Sequence, residues 1–107
     1  MTTSPGADRY KLLFFVPPQH LPDIKAAIFS TGAGRIGNYE QVCFTSPGVG
    51  QFKPVDGAKP VIGEVGKLEE VGEVRCELIC GDRKIAVAAV EALKRSASSL
   101  HCRRSSC

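Results

Sequence analysis

The distribution of apolar positions along the chain predicts a small domain built from strands and helices. Residues 10–16, YKLLFFV, are aromatic and branched, which is typical of a strand, and the two prolines that follow end it. Both alternating sets of side chains are apolar after Lys11, so we expect a central strand with helices on one side and a partner on the other. Apolar residues then recur at helical spacing, which predicts a first helix over residues 20–31.

The middle of the chain is rich in glycine and proline. QVCFT at residues 41–45 predicts a second strand, SPGVG at 46–50 has the composition of a turn, and QFKPV at 51–55 is expected to return as a hairpin arm. A loop is expected over residues 56–66. Loops of this length without elements of their own are usually functional or disordered.

The last third of the chain predicts a strand followed by a helix. In EVRCELIC, residues 73–80, Val74, Cys76, Leu78 and Cys80 share one strand face. Asp82 is a plausible N-cap for the helix that follows. The resulting order, β-α-β-β-α, is one strand short of the split β-α-β plan, so the predicted fold class is α+β and ferredoxin-like.

Residues 32–39, GAGRIGNY, contain the glycine spacing of a dinucleotide-binding fingerprint. In that fingerprint the glycines follow a strand and open a helix, so that the helix N-terminus faces the pyrophosphate. Here they follow a predicted helix and precede a predicted strand. We therefore interpret them as backbone geometry: Gly32 ends the helix, and Gly34 and Gly37 allow a tight return.

The length and charge of the chain limit the number of domains and the kinds of partner that we expect. The chain has 107 residues, which is one domain at most. Its net charge of +3 depends largely on Arg103 and Arg104, and the other charges are interspersed, so a nucleic-acid partner is not expected. The sequence has neither an apolar run that could span a bilayer nor the pattern of a signal peptide, so we expect a cytoplasmic protein without a membrane partner.

The five cysteines lie at positions 43, 76, 80, 102 and 107 and form no C-x-x-C pair. We interpret them as reduced thiols that serve as small apolar residues, not as zinc ligands or disulfides. Cys76 and Cys80 are roughly 13 Å apart along one strand face, too far for a disulfide. Cys43 is expected to face the core or a pocket, and without a nearby base it is not a credible nucleophile.

The sequence resembles a known family over residues 10–95. The motifs that carry the resemblance are GAGRIGNY, the adjacent Cys43 and Phe44, the G-x-F-K-P that begins at Gly50, the G-x-x-P-x-I-G of residues 57–63, and GKLEEVGEVR. These motifs resemble the CutA/PII-like module of the Nif-three-like (NGG-interacting factor) family. In many bacterial members that module is inserted within a larger dinuclear-metal protein, and it also occurs alone.

The resemblance implies a ferredoxin-like fold, often assembled as trimers in the wider CutA/PII group. It does not bring an established reaction, because the metal ligands of full-length relatives lie in flanking halves that this chain lacks. We carry over no dinuclear site and no GTP cyclohydrolase activity. No cofactor is assigned.

The C-terminal tail departs from the family pattern. Relatives continue with A-H-P-Y and a final strand, where this chain reads ASSLHCRRSSC at residues 97–107. Codons exist for residues 98–107 whose neighbouring frame reads H-P-Y-T-A-V-E-V-P, so we hypothesise a one-base frameshift or a gene-model or splicing error near codon 97. We thus divide the chain into a disordered lead (residues 1–9), the domain (10–96) and an atypical tail (97–107) whose final strand is missing or altered.

The candidate ligand-binding residues lie in two loops. Arg35 is suited to a phosphate or carboxylate, although a fixed hydrogen-bonded corner explains these residues equally well. Lysines of the second loop add positive charge for an anionic ligand, although solvated lysines need no such role. The complete set is Gly34, Arg35, Gly37, Asn38, Tyr39, Lys53, Lys59 and Glu64. We expect a ligand between residues 32–39 and 56–66, at a subunit interface.

His20 is expected to cap or pack the start of the first helix. A metal role there would need partners such as Asp23 or Glu64, and we assign no metal site and no catalytic residue. The leading hypothesis is a non-enzymatic ligand-binding or regulatory module, a homo-oligomer with a trimer favoured, that binds an anionic small molecule. The alternative is an interaction module whose sheet packs on copies of itself or on another protein; a metal-using enzyme is the third hypothesis.

Overall fold

A computed structural model describes residues 9–57 and 63–97 of the chain. Its elements are β1 (Tyr10–Val16), α1 (Leu21–Phe29), β2 (Phe44–Phe52), β3 (Glu69–Cys80) and α2 (Arg83–Ala97), and one turn of 3-10 helix (Pro18–His20) leads into α1. This order and architecture confirm the predicted α+β, ferredoxin-like fold class. Residues 1–8 of the predicted lead, residues 58–62 of the predicted loop, which include Lys59, and the tail from residue 98 lie outside the described residues.

The three strands form one antiparallel sheet in the order β1-β3-β2. Leu13 of β1 lies opposite Glu77 of β3, and Thr45 of β2 lies opposite Cys76 of β3. The expectation that residues 10–16 form a central strand is therefore wrong for the described part of the chain. β3 is central because β1 pairs along one of its edges and β2 along the other, and residues 74–77 pair with both.

One face of the sheet is covered by the two helices and holds the core. Strand alternation places Phe14 and Val16 of β1 on the same face as Cys76, Leu78 and Cys80 of β3, and all five side chains are buried. The helices complete this core with Ile24, Ile28 and Ala89. We call this side of the sheet the covered face.

The end of α1 and the start of α2 lie close to the positions that the sequence indicates. The backbone N–H of Gly32 donates to the carbonyl of Phe29 at 3.1 Å, and its φ of 94° is in the left-handed region that glycine adopts freely. Asp82 caps α2, because its Oδ1 accepts a 2.8 Å hydrogen bond from the backbone N–H of Ile85. The two predictions of helix boundaries from glycine and aspartate are confirmed.

The predicted turn at residues 46–50 is wrong. One continuous nine-residue strand, β2, runs through SPGVG and ends at Phe52, so no hairpin returns at 51–55. Proline is tolerated there because β2 is an edge strand with no further partner among the described residues. The long β3 supplies a paired residue opposite every position of β2, which outweighs the weak strand preference of Gly48 and Gly50.

β3 begins at Glu69, four residues earlier than predicted. Among the described strands, residues 69–73 pair with residues 48–52 of β2 alone, since β1 ends opposite Val74. This two-stranded extension, which we call the arm, leads into the connection between Phe52 and Glu69. Neither described helix is long and apolar enough to cross a membrane.

Candidate functional site

The glycine corner, residues 32–39, joins α1 to the end of the sheet. The backbone N–H of Gly34 donates to the carbonyl of Ile79 at 2.8 Å, and the Gly34 carbonyl accepts from the N–H of Val42, also at 2.8 Å. The corner is therefore fixed to the C-terminal end of β3 through backbone hydrogen bonds.

Gly34 cannot be replaced without strain. A Cβ at this position would lie 2.7 Å from the ring of Phe29 and 3.0 Å from the carbonyl oxygen of Val42, and its φ is 81°. Gly37 has a φ of 58° and open space around it, in a tight turn closed by reciprocal hydrogen bonds between Ile36 and Tyr39. The interpretation of these glycines as backbone geometry agrees with these contacts.

The polar side chains of the corner are exposed to solvent. Arg35 donates from Nε to the carbonyl of Gly37 at 3.4 Å, which is long for a hydrogen bond. Asn38 lies on the tight turn, and the side chain of Tyr39 is 74% exposed. The corner thus presents one guanidinium and one phenol to solvent from a rigid backbone.

The second group of predicted residues lies at the opposite end of the sheet. Lys53 and Glu64 are exposed, and the connection around them is closed by a 2.7 Å hydrogen bond from the N–H of Gly66 to the carbonyl of Pro54. Ten residues of β3 separate Ile79, at the corner, from Glu69, which is a distance of about 33 Å. One chain therefore does not bring the two predicted groups together, and a ligand that touched both would need a second copy.

His20 is the N-cap residue of α1, but its side chain makes no capping hydrogen bond. The predicted capping role therefore does not hold, and packing of the half-buried ring remains. Within residues 9–57 and 63–97, no three His, Cys, Asp or Glu side chains come together as metal ligands would.

The face of the sheet opposite the helices carries exposed apolar side chains among charged ones, and we call it the open face. Leu13 and Phe15 of β1 and Phe44 of β2 point to this side and are 43%, 49% and 60% exposed. None of these residues is in the candidate site predicted from the sequence. The signal was present, however, because both alternating sets of residues 10–16 are apolar.

Glu77 organises the charges of the open face. Its Oε2 accepts a 2.8 Å bond from Nη2 of Arg75 and lies 3.8 Å from Nζ of Lys11, so one carboxylate joins β1 to β3. Glu73 and Glu69 follow on the same face of β3. The open face therefore carries both signs of charge around its apolar side chains.

A shallow groove crosses the open face beside Phe15. It has a volume of about 370 Å³ and is lined by Ser46, Gly48, Gly50, Glu73 and Arg75 among others. The two glycines leave backbone without side chains on this part of β2, which gives the groove its depth.

A second cavity lies under α1 at the edge of β2. It is lined by Cys43 with Pro22, Lys25, Phe29 and Gln41, and its volume is about 510 Å³. The expectation that Cys43 faces the core or a pocket is confirmed, since the half-buried side chain also packs against the core. Burial, with a smaller contribution from the adjacent Cys43, raises the pKa of the Cys76 thiol to about 11, so Cys76 is neutral near pH 7.

The chain is similar in sequence to several bacterial proteins that share one name. The chain is 45% identical over 86 residues to a Bacillus subtilis protein named GTP cyclohydrolase 1 type 2 homolog, covering 80% of this chain and 23% of that protein. A Mycobacterium bovis protein of the same name is 43% identical over 94 residues, covering 87% and 24%. No family profile matches the chain.

A solved structure supports the same relationship. The fold is similar to the crystal structure of a Bacillus cereus protein related to NIF3, with a TM-score of 0.71 and 33% identity over 84% of this chain and 22% of that one. The chain thus has the architecture of a small ferredoxin-like α+β domain. It belongs to the NIF3-like family and spans about a quarter of the length of the relatives it matches.

Proposed function

We propose that this chain is a non-catalytic assembly module of the NIF3-like family, and that its open face packs against further copies of the same chain. The observation that carries the proposal is the exposure of Leu13, Phe15 and Phe44 on one face of the sheet, on either side of β3. Exposed apolar side chains that are grouped with polar ones in this way mark interaction sites. The proposal assigns no chemical step to the chain and agrees with the predicted cytoplasmic location.

A second copy is the occupant that the charges favour. The open face holds Lys11 and Arg75 together with Glu69, Glu73 and Glu77, so two such faces can meet without opposing a single sign of charge. Mixed charges around an apolar centre are also the usual composition of an interface. The resemblance to the CutA/PII group favours a trimer.

Binding of an anionic small molecule between copies is the second candidate function. Arg35 is exposed on a rigid corner, where a guanidinium suits a phosphate or carboxylate. Lys53 lies near the other end of the sheet, so a site containing both residues would form only where the corner of one copy meets the arm of another. In this form the module would be regulatory, because ligand and assembly would be linked.

The assembly proposal is tested by sedimentation velocity at several concentrations. Phe44→Ser, on the open face, should shift the protein toward monomer. Val87→Ser is the matched control, because Val87 is also exposed, at 47%, but lies on α2 at the other side of the molecule. A monomeric wild type, or equal dissociation of both variants, would refute the proposal.

The ligand proposal is tested separately by calorimetric titration of the oligomer with nucleotides and pyrophosphate. We expect binding that Arg35→Ala removes and Arg35→Lys weakens, since lysine keeps the charge but not the paired donors. If neither the nucleotides nor pyrophosphate give a binding heat, the ligand proposal is contradicted, and the assembly proposal is unaffected.

A further inference from the structure

Two thiols from different parts of the chain meet beneath α1. Cys43 directly precedes β2, and Cys76 lies within β3. Thr45 is paired with Cys76, so Cys43, two residues earlier, lies on the covered face and diagonally across from Cys76. Cys43 packs against the core cluster that contains Cys76, and after burial its thiol is the next cause of the raised pKa of Cys76.

The backbone fixes Cys43 in this position. Gln41 adopts a φ of 59°, which bends the chain just before the cysteine. Val42 then donates its N–H to the carbonyl of Gly34 at 2.8 Å, so the segment is attached to the glycine corner. Cys43 is therefore held by backbone geometry on one side and by the start of β2 on the other.

Cys43 connects the pair to a solvent-facing cavity. Cys76 is fully buried, whereas Cys43 is half-buried and lines the cavity of about 510 Å³ under α1. A small ion that entered the cavity would meet the Cys43 thiol, since Cys76 is not part of the cavity lining.

Lys25 supplies a positive charge at this place. It lines the same cavity as Cys43, and its charge acts on the Cys76 thiol. Two thiolates that bind a monovalent cation form a complex with one net negative charge. The ammonium of Lys25 would offset that charge in a partly buried site.

We propose that Cys43 and Cys76 form a two-coordinate binding site for a soft monovalent cation of the Cu(I) and Ag(I) class. Thiolate sulfur selects soft cations. Zinc prefers four ligands, and the described residues offer no group of three or more His, Cys, Asp or Glu side chains. Binding joins the cation to both sulfurs and releases two protons to solvent, with no change of oxidation state.

A cation fits this arrangement better than a disulfide does. Side chains that are diagonal across two antiparallel strands are wider apart at Cβ than the roughly 4 Å of a disulfide. A bridging cation adds two metal–sulfur bonds between the thiols, so the strands keep their register. The site is independent of the open face, and its test does not depend on assembly.

The test uses Ag(I) in chloride-free buffer, with the reduced protein under argon and an excess of the monothiol N-acetylcysteine as competitor. Cys102 and Cys107 are first replaced by serine so that only the three cysteines of the domain remain. Native mass spectrometry should show one Ag(I) per chain. Cys43→Ser and Cys76→Ala should each lower the affinity at least about tenfold, because a single thiol loses the chelate advantage over the competitor.

Cys80→Ala is the matched control, because Cys80 is buried on the same face of β3 and takes no part in the pair. It should retain the bound Ag(I). Lys25→Met should weaken binding about fivefold and Lys25→Arg should preserve it, since only the first removes the charge. Circular dichroism checks the fold of each variant, and the half-buried Cys43→Ser keeps the test decisive if Cys76→Ala does not fold.

Three results would overturn the proposal. The first is a domain that holds no Ag(I) against the competitor. The second is a Cys43→Ser variant that binds as tightly as the parent chain. The third is a Cys80→Ala variant that loses as much affinity as Cys43→Ser.

Discussion

The two faces of the sheet are formed by neighbouring residues but lie in opposite surroundings. Phe14, on the covered face, is 6% exposed beneath the helices, while the adjacent Phe15, on the open face, is 49% exposed. The covered face holds the core of a single chain. The open face also carries large apolar side chains, mixed with charged ones, but no helix among the described residues covers it, so its composition points to contacts outside the chain.

The largest difference between the covered face and the open face is expected for two matched substitutions, one on each face. Phe14→Ala should lower the free energy of unfolding by about 3–5 kcal/mol, because it leaves a cavity in the core. Phe15→Ala should cost below about 1 kcal/mol in dilute, monomeric protein, since its side chain is half exposed there. Urea denaturation of both variants measures the difference, and equal losses would contradict the assignment of the two faces.

The glycine corner belongs with the covered face, because Gly34 lies against the ring of Phe29, which packs on the core. Gly34→Ala should destabilise the domain by about 2–4 kcal/mol, through the left-handed φ and the displacement of Phe29. Gly37→Ala shares the positive φ but has open space around it, so about 1 kcal/mol is expected. Thermal unfolding compares the two; a larger effect at Gly37 would show that the corner is held differently.

The helices that cover the sheet include α2, and the stability of α2 depends on its N-cap, Asp82. Asp82→Ala removes the side-chain acceptor of the Ile85 N–H and should cost about 1 kcal/mol. Asp82→Ser is the control, because serine also caps helices, and it should retain most of the stability. Guanidinium denaturation distinguishes them. Identical losses in both variants would mean that the cap does not stabilise α2.

The smallest effect is expected for the charges of the open face. Glu77→Gln weakens the contacts with Arg75 and Lys11, which are surface ion pairs, so the monomer should lose below about 1 kcal/mol. The loss should shrink further at high salt, where such pairs are screened. Denaturation at low and high salt tests this, and a large, salt-independent loss would instead place Glu77 among the residues that hold the fold.

The helices and the covered face could be predicted from local pattern. The spacing of Ile24 and Ile28, the glycine at position 32 and the aspartate at position 82 depend on neighbours within a few residues, and each prediction was confirmed. β2 could not be predicted in this way. Its sequence has turn composition, and it becomes a strand because β3 pairs with it over its whole length.

The candidate sites were harder to predict for the same reason. The distance between the glycine corner and the residues around Lys53 depends on the length of β3. The strand predicted from the sequence begins at residue 73 and is four residues too short. The meeting of Cys43 and Cys76 depends on the register between β2 and β3. No local pattern encodes that register, so the cysteines could only be assessed by their spacing along the chain.

The central claim is that copies of this chain cover the open face, and hydroxyl-radical footprinting of that face tests it most directly. The oxidation of Phe15 and Phe44 would be followed from submicromolar to high-micromolar protein, with the exposed Tyr39 of the glycine corner as an internal reference. The account predicts that Phe15 and Phe44 become protected as concentration rises while Tyr39 changes less. If the oxidation of Phe15 and of Phe44 does not change with protein concentration, the claim that copies of the chain cover the open face is contradicted.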